Sequence, residues 1–293
     1  MIKNIFRVFF YSGLFLLFFF SCSPLVQKAY FVESPNVALF DSVGQTNLNF
    51  SGQYFSHTNI QFSQSVSAKS GFNANMQIWY PQRVAKSAGL SYVFPRDPHP
   101  SYAMGFGAGY VFYHSSKNHY FEFTSNYGFL RNRTRVADRS LSPIAVFGLG
   151  GPWLSQDVDA TFHTISLQPS FFWNDNGIKT GFVFRNEVVY IPDYYYFFEV
   201  SVYNPDLYYI SNTLHDEISL SNKWAMNQQL FFVFRNQRKT ISWGVHTGFS
   251  WSLYAMHKQY DFTHITNELN GVAPTKTPPM AEFILGFDVG VIW

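Results

Sequence analysis

The chain is poor in charge: Lys, Arg, Asp and Glu together make up 13% of its 293 residues, about half the share usual in a soluble domain. That argues against a globule with an ordinary water-facing surface. There is a single cysteine, Cys22, which excludes an intrachain disulfide. Mean hydropathy is close to zero, which excludes a bundle of membrane-spanning helices. Gly148, Gly150 and Gly151 beside Pro152 match no phosphate-binding pattern. No spacing of residues is diagnostic of a metal site, a cofactor or a catalytic group, so none of these is assigned.

Aromatic residues, by contrast, make up 20% of the chain, and they fall in alternation. From Ala281 to the end, Phe283, Leu285, Phe287, Val289, Val291 and Trp293 share one face, while Glu282, Ile284, Gly286, Asp288, Gly290 and Ile292 share the other. A strand shows its side chains to opposite sides with period two. The same alternation recurs with Leu48 and Phe50, Ile60 and Phe62, Phe72 and Met76, and Phe106 and Tyr110. It continues with Phe121 and Phe123, Ile165 and Leu167, and Trp243 and Phe249. The polar faces of these runs are mostly uncharged Asn, Gln, Ser and Gly, which suits a narrow lumen better than open solvent.

These runs predict an all-β fold, a transmembrane antiparallel up-and-down barrel of about ten strands, with twelve as the alternative. Twelve candidate runs exist, but spanning with all of them leaves 131–158 and 191–211 as long connections on the side where turns should be short. Assigning 87–94 and 212–221 to outer loops, as extensions of the sheet, leaves ten strands. The short turns are then 69–71, 115–118, 174–177 and 235–240, with Asn and Gly where positive φ is needed. The outer loops become 55–58, 81–101, 131–158, 191–225 and 255–280.

The first residues read as a targeting segment. Lys3 and Arg7 precede an apolar core, Val8–Phe20, that is short for a membrane helix, and Ser21 and Cys22 follow. The organisation expected is therefore a lipoprotein signal peptide over 1–21, a lipidated periplasmic tether over 22–44 beginning at Cys22, and the barrel over 45–293. Losing residues 1–21 leaves 18 basic against 18 acidic residues, which gives no case for nucleic acid.

Several residues stand out as candidates. Glu122, Lys179, Arg185, Glu187, Glu282 and Asp288 fall on inward faces, where opposite charges form either a plug or a conduction path. Arg131, Arg133, Arg135 and Arg139 make a basic start to an outer loop, suited to lipid phosphates or an acidic glycan. Tyr194–Phe198, with Tyr203, Tyr208 and Tyr209, read as a girdle at the membrane boundary. The pentapeptide Phe-Val-Phe-Arg-Asn occurs at 182–186 and 232–236, which shared lipid-facing phenylalanines explain without duplication. A hydrolase at the rim is the alternative from another class; His163, His246, His257 and His264 are available for it, and His257, Asp261 and His264 share a loop.

A chain that ends on an aromatic residue in such a strand looks like a bacterial outer-membrane barrel, and Trp293 would then be the signal read by barrel-assembly machinery. More narrowly, the chain resembles the small β-barrel lipoproteins of the Bacteroidota outer membrane. The likeness lies in the Phe-rich signal before Cys22, the polar hairpins around Gly44–Tyr80 and the Gly-Tyr strand at Gly105–Tyr110. A turn at Leu167-Gln168-Pro169 and the Gly-rich terminal strand complete it. The resemblance implies a non-enzymatic envelope component, structural or interacting, or a narrow channel. Implied partners are outer-membrane lipid, the assembly machinery, and an envelope protein or glycan at the outer loops.

Overall fold

A computed structural model of the chain describes residues 34–53, 57–79, 102–140, 152–204, 209–238, 240–252 and 282–293. The strands are β1 (Thr46–Gln53), β2 (His57–Ser65), β3 (Ser70–Trp79), β4 (Tyr102–Ser115) and β5 (His119–Ser140). They continue as β6 (Pro152–Asp175), β7 (Ile178–Asn204), β8 (Tyr209–Arg238), β9 (Ile241–Ser252) and β10 (Glu282–Ile292). Each pairs antiparallel with the next, and β10 pairs with β1 to close the barrel. The seam ends in a reciprocal pair: Thr46 N donates to the Trp293 carbonyl at 2.8 Å and Trp293 N donates to the Thr46 carbonyl at 3.1 Å. Ten strands, not twelve, form the wall.

The alternation read from the sequence sets which way each side chain points. Phe50, Phe106, Tyr110, Phe112, Phe121, Ile165, Phe182, Trp243, Phe249, Phe287, Val289 and Val291 are exposed on the outer surface. Asn47, Asn49, Gln61, Asn73, Gln77, Glu122, Gln168, Arg185 and His246 are buried inside. On β5 the outward apolar series ends at Phe129 and gives way to Arg131, ten residues above Phe121. At a usual strand tilt that is a belt roughly 25 Å tall, the thickness of a membrane's apolar layer. Trp173, Trp243 and Trp293 stand exposed toward one end of this belt. Tyr127, His163, Tyr190 and Trp224 make a chain of ring contacts at the other, 4.7 Å between the Tyr190 and Trp224 centroids.

The connections at the tryptophan end are short. They occupy 66–69, 116–118, 176–177 and 239–240, within a few residues of the turns expected. Asn176 and Gly177 both have positive φ, 50° and 85°, the conformation of a two-residue hairpin turn whose twist matches the strands.

Two expectations about the opposite end are corrected. Residues 131–158 and 191–225 are not loops over most of their length. The β5–β6 pairing runs up to Ser140 and Trp153, and the β7–β8 pairing to Asn204 and Tyr209, so two hairpins rise beyond the belt. The run 212–221 extends β8, as anticipated; 87–94 lies outside the described residues. Strand-forming aromatic and β-branched residues such as Tyr194–Val202 continue the ladder, because each finds an antiparallel partner. Leu167-Gln168-Pro169 is likewise no turn. It lies in mid-β6, paired to β5 through Ser125, Thr124 and Phe123, while on the β7 side the ladder passes over Gln168 and Pro169. Proline has no N–H to give to a second neighbour.

Candidate functional site

The lumen is occupied by the chain itself. Ser34–Phe40, expected to belong to a tether below the barrel, lie inside it, and Ser34, Asn36, Val37, Ala38, Leu39 and Phe40 are all buried. The segment enters near the far end of β1, where the Ser34 and Ser51 hydroxyls are 3.0 Å apart. It leaves at the short-turn end through the exposed residues Asp41–Gly44.

What makes this more than a collapsed terminus is where its main-chain groups go. An irregular segment offers one donor and one acceptor per residue, and each must be paired when buried. Here every carbonyl from Ser34 to Leu39 accepts a hydrogen bond from a barrel side chain. Arg185 donates to Ser34 O at 3.0 Å, Gln61 to Pro35 O at 3.2 Å and Gln168 to Asn36 O at 2.6 Å. Arg235 donates to Val37 O at 3.1 Å, Asn47 to Ala38 O, and Lys179 to Leu39 O at 2.8 Å. The amides are met in the same way. Asn36 N donates to the Gln168 side chain at 3.3 Å, Ala38 N and Leu39 N to the Glu122 carboxylate at 3.0–3.1 Å, and Phe40 N to the Tyr120 hydroxyl at 3.0 Å. Side chains of β1, β2, β5, β6, β7 and β8 therefore take the place of the neighbouring strand that this segment lacks.

The segment's own side chains supply the apolar part. Val37, Ala38, Leu39 and Phe40 pack in one cluster with Val111, Tyr113, Tyr120, Phe172, Val183, Phe231, Val233 and Ile284. Phe40 lies 5.2 Å from the Tyr113 ring, over Gly71. A Cβ on Gly71 would come within 2.5 Å of the Gln64 carbonyl and 2.7 Å of the Phe40 ring, so the glycine is required both by the neighbouring strand and by the space the phenylalanine fills. Leu39 adopts φ of 53°, the bend that lets its amide join that of Ala38 on one carboxylate.

The inward charges expected from the sequence are inside, and they converge. Glu122, Lys179, Arg185, Glu187 and Asp288 are buried. Glu122 also accepts from Tyr120 and Thr124 at 3.0 and 3.1 Å. Lys179 pairs with Asp41 at 2.6 Å, at the mouth, and stands 5.1 Å from the Tyr120 ring centre. Arg185 donates through Nε and Nη2 to Gln168. Glu187 accepts from Asn227 and Gln229 deeper in the lumen. The side chain of Glu282 lies outside the described residues, though its backbone pairs with Ser250.

Two further groups belong to this network: Arg235, which the sequence reading left in a turn, and His246, which it singled out only as a hydrolase candidate. Arg235 lies 3.4 Å from Asp288 while holding Val37 O, and His246 Nδ1 lies 3.2 Å from Asp288. The signal for Arg235 was the repeated pentapeptide. In each copy the arginine is two residues from an inward valine, Val183 or Val233, so both arginines face the lumen and both hold a carbonyl of the segment.

The basic group on β5 proves to be charge-compensated. Arg131 pairs with Asp159 and, at 3.0 Å, with Asp193; Arg133 lies 3.7 Å from Asp159; Arg135 pairs with Asp157. These side chains share the outward face just past the Tyr127–His163 girdle, on a paired strand rather than a loop. Arg139 is in β5 opposite Leu154, its side chain outside the described residues. Of the aromatic run at 194–198, Tyr194 packs edge-on against Phe162 and Tyr195 and Phe197 are buried. The girdle on this side falls instead to residues nearer the belt. Trp293 is exposed at the seam. Cys22, His257, Asp261 and His264 lie outside the described residues. Among the described residues no cluster suited to a metal ion is present.

No protein-family model matches the chain, and no curated protein matches it. Among solved structures, the trimer form of in-vitro folded OmpT, an outer membrane protein of Vibrio cholerae, is similar over 85% of this chain and 98% of its own, at 8% identity and a TM-score of 0.19. Another structure of in-vitro folded OmpT from Vibrio cholerae is similar over 85% and 96%, at 9% identity and a TM-score of 0.21. Matches this shallow carry no residue-level correspondence.

Proposed function

We propose that this is an outer-membrane β-barrel lipoprotein without enzymatic activity, held closed by its own N-terminal segment. It serves the envelope as a structural or interacting component and not as an open pore. The observation that carries this reading is the pairing of all six carbonyls from Ser34 to Leu39 with lumen side chains. A conduction path lined by the same charges would leave them facing water. Instead Glu122, Lys179, Arg185 and Arg235 are used on the segment's main chain. An outer-membrane location is supported by the apolar belt with aromatic residues at both edges of the closed barrel.

The direction of the segment supports a lipid at Cys22 on the side of the long hairpins, the reverse of the periplasmic side expected from the sequence. Ser34 bonds to Ser51, two residues from the end of β1 farthest from the short turns. The hydrolase reading draws no support from the histidines described. His163 faces outward, with its Nδ1 2.6 Å from the Tyr127 hydroxyl, and His246 is enclosed in the lumen with Asp288 and the edge of Phe231.

Planar-bilayer recording tests the closed state. The purified full-length chain should give almost no conductance, and a chain with residues 34–40 replaced by Gly and Ser should conduct steadily. Steady conductance by the unmodified chain would overturn the reading.

A further inference from the structure

We propose that the lumen is a peptide-binding site in its own right, which residues 34–40 fill in cis and which a peptide of that sequence supplied in trans also fills. The proposal rests on the closed-barrel reading and goes beyond it. A segment that merely blocks a pore needs bulk. This one is held at its peptide N–H and C=O groups by side chains that come from six different strands, with one hydroxyl contact, Ser34 to Ser51, besides.

The ligand class follows from those contacts. Gln168 gives and takes a hydrogen bond at the two main-chain groups of Asn36, the pairing that a neighbouring strand would otherwise offer. Glu122 takes two successive amides, which requires the bend at Leu39 and excludes a straight strand. Arg185 and Arg235 take carbonyls three residues apart. Side-chain selectivity is sharpest at one end, where Phe40 lies between Gly71 and Tyr113, and Val37 to Leu39 add an apolar requirement. The site thus suits an uncharged, bent peptide of small residues followed by a large apolar one. Charged residues at the positions of Val37 and Ala38 would enter the apolar cluster unpaired and be rejected.

Two measurements test this, and they separate its failure from failure of the closed-barrel reading. In the first, the full-length Phe40→Ala chain is recorded in a bilayer, and a synthetic Ser-Pro-Asn-Val-Ala-Leu-Phe peptide is added. Conductance that appears with the substitution and is abolished by the peptide supports the site. Conductance that the peptide leaves unchanged overturns the site while upholding closure.

In the second, a protease sequence is inserted between the exposed Ser42 and Val43, the full chain is cut in detergent, and binding of the fluorescently labelled peptide is followed by anisotropy. Saturable binding is expected. Methylation of the amide at the position of Ala38 should weaken it at least about tenfold, since it removes a charge-assisted hydrogen bond to Glu122. Changing the Asn36 side chain to Ala should alter it by no more than about twofold, because only its main chain is held. No binding to the cut barrel, or equal binding of the methylated peptide, would overturn the proposal even if the Phe40→Ala chain stayed silent.

Discussion

Strands β1–β4 contain no Lys, Arg, Asp or Glu, and Lys69 in the turn between β2 and β3 is the one charge from Thr46 to Trp79. The lumen faces of β5–β10 carry Glu122, Lys179, Arg185, Glu187, Arg235 and Asp288, all buried. The first wall is built in rows of uncharged polar side chains, amides and hydroxyls: Asn47, Ser63 and Asn73 lie across one level, Asn49, Gln61 and Asn75 across the next, and Ser51, Asn59 and Gln77 across a third. A glycine of β4 leaves room for them, since a Cβ on Gly107 would collide with the Asn75 amide; one on Gly109 would likewise collide with Asn126 of β5. The uncharged wall gives the N-terminal segment two bonds to main-chain carbonyls, from Asn47 and Gln61. The charged wall gives four, from Gln168, Lys179, Arg185 and Arg235, and accepts the amides as well. Charge inside this barrel has gone where peptide dipoles must be met, and a buried charge is stable only when paired or hydrogen-bonded in this way.

The largest effect expected falls where the two walls meet. Phe40→Ala empties the space between Gly71 and Tyr113 and should cost about 3–5 kcal/mol, as core aromatic truncations do. It would appear as a lower thermal midpoint together with new conductance. A drop in midpoint without conductance would mean that the polar contacts alone keep the segment in place, and the charged wall would outrank the apolar anchor.

Next comes Glu122→Ala, a test of the charged wall by itself. It leaves two buried amides and the hydroxyls of Tyr120 and Thr124 without their acceptor, a loss of about 2–4 kcal/mol. Glu122→Gln keeps one acceptor oxygen and should fall between. If Ala and Gln behave alike, the carboxylate charge matters and the hydrogen-bond count does not. On the opposite wall, Gly71→Ala should cost about 1–3 kcal/mol by overpacking, with conductance rising as the Phe40 ring is pushed aside. The double variant Gly71→Ala with Phe40→Leu should recover part of that loss, which a defect confined to the β2–β3 ladder would not allow.

The barrel was legible because alternation is a property of a strand's own sequence. Every inward or outward assignment on β1–β4, and those of Glu122, Arg185 and Asp288, follows from period two alone. Two things were not legible, for different reasons. The hairpins beyond the belt break the alternation, because the bulge between Ala160 and His163 and the positive φ of Asn222 reset which face a residue takes. A shift of one residue reverses every facing after it. The lumen segment has no period to find. Ser-Pro-Asn-Val-Ala-Leu-Phe is held through its backbone, and backbone groups are the same in every sequence. What the sequence did contain was the complement: Arg185 and Arg235 in matching pentapeptides, each two residues from an inward valine and so aimed at the lumen.

The smallest effect expected is the one that separates the walls most cleanly. Asn59 is fully buried on β2, yet its amide nitrogen and oxygen have no partner among the described residues, and the same is true of Asn73. An amide that makes no hydrogen bond has already met its desolvation cost, so removing it returns that cost instead of adding to it. Asn59→Ala should therefore change stability by no more than about 0.5 kcal/mol, in either direction. Gln168→Ala, an amide of the same chemistry on the charged wall, loses both bonds to Asn36 and both from Arg185 and should cost about 2–3 kcal/mol. Chemical denaturation of the two variants side by side decides the matter. A large loss at Asn59 would show that the uncharged wall also grips something, through ordered water or a bound solute. Equality of the two variants would dissolve the distinction between the walls altogether.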